Sequence, residues 1–165
     1  MRSDQARPVR LSDYRPPDFA IPYVELTVKL APNRTQVIAA ISFEPHPKGT
    51  AGAPLVLDGD GLTLVSLALN GAPLAPDAYV ATPDSLTIAA PPPGAFSLTI
   101  ETLLEPEANT QLMGLYRSSG TWCTQCEAEG FRRITYFLDR PDVLSVYRTR
   151  IEADRTLAPI LLGNG

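Results

Sequence analysis

An all-β fold, an antiparallel β-sandwich or a saddle-like open sheet, is what this sequence predicts. Three observations carry the prediction. Apolar and polar residues alternate with a period of two over several short stretches, as in half-buried strands. Those stretches are punctuated by 17 prolines and 11 glycines, which interrupt helices and favour turns. Asn70-Gly71 stands after one such stretch and is a strong two-residue hairpin signal. At 165 residues and 44% hydrophobic composition, the chain has the length of one domain and enough apolar surface for a core.

The elements follow in order. Residues 1–20 are polar and rich in proline, an extended lead-in. In "YVELTVKL", Val24, Leu26, Val28 and Leu30 alternate with Glu25, Thr27 and Lys29, which makes a strand. A turn over 31–34 leads to Val37, Ala39, Ile41 and Phe43, a second strand and a hairpin. "EPHPKGTAGA" is a loop, "PLVLD" a short buried strand, and "LTLVSLAL" the strand before Asn70-Gly71. Further short strands are expected at 78–81, 85–89 and 96–103. After Pro106 the rhythm weakens. "FRRITYFL", near 131–138, reads as one short helical segment ending before Pro141, since the residue before proline resists helix. "DVLSVYRTRIEAD" returns to alternation and reads as a strand. "APILLGNG" reads as a last apolar strand followed by Asn-Gly, a hairpin turn without its second strand. The expected organisation is therefore a β domain over 21–165 that stops before its last strands.

Composition excludes several classes. Net charge is −4, and Lys29 and Lys48 are the only lysines, unlike the basic footprint of a nucleic-acid binder. No run of 18 apolar residues could cross a membrane as a helix. The N-terminal stretch lacks the apolar core of a secretory signal, so a cytoplasmic location is expected. There the two cysteines would be reduced, and the acceptor pattern Asn33-Arg34-Thr35 carries no meaning.

The stretch "WCTQCEAEGFRR", 122–133, concentrates the chemistry. It holds both cysteines, two glutamates and two arginines. Cys123-Thr-Gln-Cys126 fits structural zinc poorly: four ligands are needed, no second pair exists, and the only histidine, His46, is far away. A redox motif normally starts a helix in a βαβ setting, and the preceding sequence is all β. On an extended segment residues three apart point to opposite faces, so two half-buried structural thiols are the plainer reading. The same geometry puts Gln125, Glu127 and Glu129 on one face, with Cys126 and Ala128 on the other. Two carboxylates and an amide on one face suit a cation. A solvated strand face, or glutamates paired with Arg132 and Arg133, fits the pattern as well.

The quoted motifs also resemble a known family. "GLYRS", the Q-C-E core, "GFRRITYFLDRPDV" and "LLGNG" are similar to the N-terminal domain of the zinc-dependent aminopeptidase N family, in its bacterial alanyl-aminopeptidase branch, and "RLSDYRPPDF" fits the same branch. The likeness is tightest over 105–165; residues 45–104 share only strand rhythm. Where other branches carry F-P-C-x-D-E-P, this chain has "TYFLDRPD", the bacterial form.

The resemblance implies a saddle-like all-β domain ahead of a catalytic zinc domain. The family's H-E-x-x-H and G-x-M-E-N segments are absent from this sequence, so the resemblance places the zinc in the parent enzyme and none in this chain. It implies that Glu127 accepts charge-assisted hydrogen bonds from the protonated α-amine of a peptide, and that Gln125 lines the site of the first side chain. The partner is then a peptide N-terminus, held together with the catalytic domain of the same polypeptide. Glu129 has no assigned role beyond pairing with Arg132 or Arg133. Alone, the chain is expected to lack peptidase activity and to self-associate weakly, through the surface the catalytic domain covers and through an open edge at 159–162. A free-standing β-sandwich binding module and a thiol redox protein are the alternatives.

Overall fold

The computed structural model describes residues 10–164, and its first hairpin follows the alternation of the sequence. β1 (Phe19–Lys29) and β2 (Thr35–Pro45) pair antiparallel. β2 buries every second residue: Thr35, Val37, Ala39, Ile41 and Phe43. β1 begins earlier than the alternation suggests, because its buried set changes parity. Phe19 and Ile21 are buried at odd positions, and Val24, Leu26 and Val28 at even ones. A bulge between Ala20 and Tyr23 inserts the extra residue that moves the pattern. Pro22 lies inside it, where a missing N–H breaks no ladder bond. The buried Thr35 hydroxyl closes the connecting loop, accepting from the Ala31 N–H at 3.0 Å and donating to the Ala31 carbonyl at 2.7 Å.

The chain continues through β3 (Leu55–Asp58), β4 (Thr63–Leu69), β5 (Ala72–Pro73), β6 (Val80–Thr82), β7 (Ser85–Ile88) and β8 (Phe96–Leu104). Asn70 and Gly71 connect β4 to β5 with φ of 50° and 81°, the positive pair that a twisted two-residue hairpin requires. β9 (Gly114–Ser118), β10 (Thr121–Gln125) and β11 (Val146–Glu152) complete the strands.

Among the described residues these strands make three sheets. The largest has the order β11-β1-β2-β8-β4-β5, the second β3-β7-β6, and the third is the β9–β10 hairpin. Pairing is antiparallel except between β11 and β1. One buried cluster runs from Val24, Ile41, Leu98 and Ile100 of the large sheet to Leu55, Leu57, Leu86 and Ile88 of the small one. The all-β sandwich-like reading therefore holds. No helix of the described residues is long and apolar enough to cross a membrane.

Four expectations change. The helical segment near 131–138 is a single 3-10 turn, Phe131–Arg133. Beyond it the chain is drawn into the core, where Ile134, Tyr136 and Phe137 are buried. Phe137 and Asp58 exchange main-chain hydrogen bonds of 2.8 and 3.0 Å, so the Phe137 backbone is paired across to β3 instead of along a helix. The strand expected from 143 starts at Val146 and pairs parallel with β1, from Tyr23↔Val146 to Lys29↔Glu152. Residues 159–162 form no strand: Asp154 turns the chain by accepting from the N–H groups of Leu157 and Ala158, and Ile160 and Leu162 remain 76% and 87% exposed. Finally, Leu11–Asp13 of the lead-in is a 3-10 turn; residues 1–9 and Gly165 lie outside the described residues.

Candidate functional site

The stretch 122–133 is built on the β9–β10 hairpin. Ser119 and Gly120 turn it with φ of 50° and 84°, and Gly114 to Ser118 pair with Gln125 to Thr121. The Arg117 guanidinium lies over the Trp122 ring, 4.4 Å from its centroid, and also binds Glu107 at 2.5 Å and the Gly120 carbonyl at 2.9 Å. This ribbon delivers Gln125 as its last paired residue.

The strand ends there, which corrects the extended reading. Residues 127–130 form a turn, closed by the Gly130 N–H donating to the Cys126 carbonyl at 2.8 Å. The Glu127–Ala128 peptide is cis, and Glu129 has φ of 65°. The closure demands a glycine at 130. A Cβ there would lie 2.7 Å from both the Gln125 carbonyl oxygen and the Cys126 Cα. Gln125, Glu127 and Glu129 are thus not three teeth of one strand face. All three are exposed, and the Gln125 carboxamide folds over the turn, its Nε2 donating to the Glu127 carbonyl at 3.0 Å.

The two glutamates differ in their partners. The Glu129 carboxylate lies 3.4 Å from Arg132 Nη2. Arg133 is taken by Asp60 at 2.6 Å. Among the described residues Glu127 enters no ion pair. The expectation that glutamates of this stretch pair with the arginines holds for Glu129 and leaves Glu127 facing solvent.

Arg132 has a second partner that the sequence reading missed. Its Nε donates to Asp139 Oδ2 at 2.9 Å, its Nη2 to the Asp139 carbonyl at 2.9 Å, and its backbone N–H to the same carboxylate at 3.1 Å. The seven-residue spacing matches neither helix nor strand contacts, so no local pattern announces it.

Cys123 and Cys126 are free and half-buried. Burial, and secondarily the nearby Asp139 carboxylate, push the Cys126 thiol up, the opposite of a reactive thiolate. Zinc fits poorly too: among the described residues no group of three His, Cys, Asp or Glu side chains could hold a metal ion. The single histidine, His46, accepts from the Lys48 N–H at 3.1 Å in an exposed loop.

Residues 21–165 match the Peptidase M1 N-terminal domain. The chain is 53% identical over its whole length to aminopeptidase N of Caulobacter vibrioides, of which it covers 19%. It is 46% identical to aminopeptidase N of Escherichia coli over 153 residues, covering 93% of this chain and 17% of that protein. The chain thus spans about a fifth of the length of the curated relatives it matches. It is similar to the crystal structure of Legionella pneumophila aminopeptidase A in complex with aspartic acid, with a TM-score of 0.84 and 37% identity over 95% of this chain and 18% of that one. An M1 zinc metallopeptidase from Deinococcus radiodurans, bound to a Tyr-Ser-Ala substrate, shares the fold at a TM-score of 0.67 and 16% identity, over 82% of this chain and 33% of that one. The chain therefore belongs to the Peptidase M1 N-terminal domain family.

Proposed function

We propose that this chain is the part of a zinc aminopeptidase that holds the N-terminal amine of the peptide substrate. The observation that carries the reading is the difference between the two glutamates: Glu129 contacts Arg132 at 3.4 Å, while among the described residues Glu127 stands exposed at a braced turn and enters no ion pair. An exopeptidase must count from a free terminus, and an anionic carboxylate opposite an ammonium does so. Glu127 accepts charge-assisted hydrogen bonds from the α-ammonium. Gln125, at the last rung of the hairpin, lines the site of the first side chain. Its hydrogen bond to the Glu127 carbonyl ties the two roles together.

The residues described here do not assemble a zinc site, so no step of hydrolysis is assigned to them. In this reading the zinc and its ligands belong to a catalytic domain of the same polypeptide, and the domain acts in the cytoplasm. In the same reading the isolated chain self-associates weakly through the surface around Gln125 and Glu127, which the catalytic domain would cover.

The test is steady-state kinetics of the full-length enzyme on an N-terminal alanine chromogenic amide. Losing a hydrogen bond to a charged group costs about 1.5–3 kcal/mol, so Glu127→Ala should lower kcat/KM roughly ten- to a hundredfold. Glu127→Gln, which keeps an acceptor and loses the charge, should fall between. Zinc content should not change. Near-wild-type kinetics for both variants would reduce the turn to a structural element.

A further inference from the structure

We propose that Arg132 is a positioning residue for Glu127, acting through Glu129 to hold the turn on the sandwich. This rests on the reading of Glu127 as the amine anchor. From the N-terminal side the turn is held by the Gln125 carboxamide at the Glu127 carbonyl. From the C-terminal side the hold is a chain of contacts that starts in the core. Asp58, the last residue of β3, exchanges main-chain hydrogen bonds with Phe137, and its Oδ2 accepts from the Asp139 N–H at 3.2 Å. Asp139 in turn accepts three hydrogen bonds from Arg132, with side-chain exposures of only 11% and 24% for the pair. The guanidinium is therefore fixed relative to the sandwich. Its Nη2 reaches the Glu129 carboxylate at 3.4 Å, two residues beyond Glu127.

Two features make this a positioning device rather than a decorative pair. The planar fork of arginine serves the Asp139 carboxylate, the Asp139 carbonyl and Glu129 at once, which a lysine ammonium cannot do. Glu129 occupies left-handed backbone, unfavourable for a side-chain-bearing residue and retained where its surroundings over-determine it. Fixing an exposed turn before substrate arrives lowers the ordering cost of binding. Releasing it should weaken amine binding while leaving the Glu127 carboxylate chemically unchanged.

The test is a double-mutant cycle in the full-length enzyme. Arg132→Lys should lower kcat/KM about five- to twentyfold in the wild-type background, mostly through KM, and less than about twofold when Glu127 is already alanine. Glu129→Gln, at a 58% exposed side chain, tests the same link without touching the buried pair. It should cost about two- to fivefold, in keeping with an exposed ion pair, and again almost nothing in the Glu127→Ala background. Equal losses in both backgrounds would mean that Arg132 only staples the fold, and full activity in both variants would mean that the link is idle; either result overturns the proposal. If Glu127→Ala alone is harmless, the amine-anchor reading fails and takes this proposal with it. A harmful Glu127→Ala with additive Arg132→Lys and Glu129→Gln losses defeats this proposal alone.

Discussion

Gly130→Ala is the sharpest perturbation of the turn that carries Glu127. The conformation of Gly130, φ −95° and ψ −12°, is open to alanine, so backbone strain does not decide the outcome. Space does. The added Cβ would lie 2.7 Å from the Gln125 carbonyl oxygen, 2.7 Å from the Cys126 Cα and 3.1 Å from the Cys126 carbonyl carbon. Each is a backbone atom, so no side chain can swing aside, and the strand end and the turn must separate by about 0.7 Å to restore ordinary contact near 3.4 Å. Overpacking of this kind costs about 1–3 kcal/mol. The displacement also pulls on the 2.8 Å hydrogen bond from Gly130 to Cys126, worth about 0.5–1.5 kcal/mol. Against this, alanine restricts the unfolded chain and returns about 0.4–1 kcal/mol. The clash wins, and the net loss should be about 1–3 kcal/mol, or roughly 3–10 °C in melting temperature for a chain of this size. Urea denaturation followed by the fluorescence of Trp122, the only tryptophan and a residue of β10, measures it. Gly94→Ala is the control, because a Cβ there meets nothing within 4 Å. If Gly130→Ala is as stable as Gly94→Ala, the turn yields freely and the argument that its shape is held against β10 is wrong.

Other expected outcomes bear on the core, on pH and on the thiols. Leu98 is fully buried on β8 between β2 and β4, so Leu98→Ala should cost about 2–5 kcal/mol in the same denaturation assay; a loss below about 1 kcal/mol would show the sandwich core to be loosely packed. Asp142 accepts from Arg140 at 2.7 and 2.8 Å and from the Tyr14 hydroxyl at 2.9 Å, and the Arg140 hydrogen bonds above all hold its carboxyl below the usual carboxylate range. A depressed folded pKa contributes stability above the unfolded value, near 3.9, and loses it as pH falls through the folded one. Asp142→Asn should therefore cost about 0.2–1 kcal/mol at pH 7, with the gap to wild type closing as the pH is lowered below about 4; a gap that widens in acid would refute the assignment. Burial pushes the Cys126 thiol up, so its alkylation at pH 7 should be slower than that of a free cysteine; rapid labelling with an acid-shifted pH profile would revive a redox role.

Much of the fold was legible because a strand writes its two faces into alternate residues. Val37 to Phe43 on β2 and Phe96 to Leu104 on β8 bury every second side chain, and Asn70-Gly71 turns where its residue types require positive φ. What was illegible depends on partners distant in sequence. Alternation around residue 146 indicates a strand but not that it lies parallel to β1, more than 120 positions earlier. "FRRITYFL" has helix-compatible spacing, yet Asp58 outbids the helix for the Phe137 backbone. The run at 159–162 is apolar without alternation, and in the structure it stays out of every sheet among the described residues.

The candidate site shows the same division at finer scale. Period-two reasoning put Gln125, Glu127 and Glu129 on one face, and that was wrong because the strand stops at Gln125. The three residues lie instead at the end of β10 and on the turn that follows it. The decisive distinction, which glutamate is bound and which is available, is set by Arg132. Asp139 fixes that arginine from seven residues downstream, and Asp58 on β3 fixes Asp139 in turn. A carboxylate on an isolated strand face would have been one solvated charge among many. On a turn whose backbone is held from both sides and whose other glutamate contacts Arg132, Glu127 is, among the described residues, the carboxylate of the turn that enters no ion pair, and the proposed amine anchor rests on that difference.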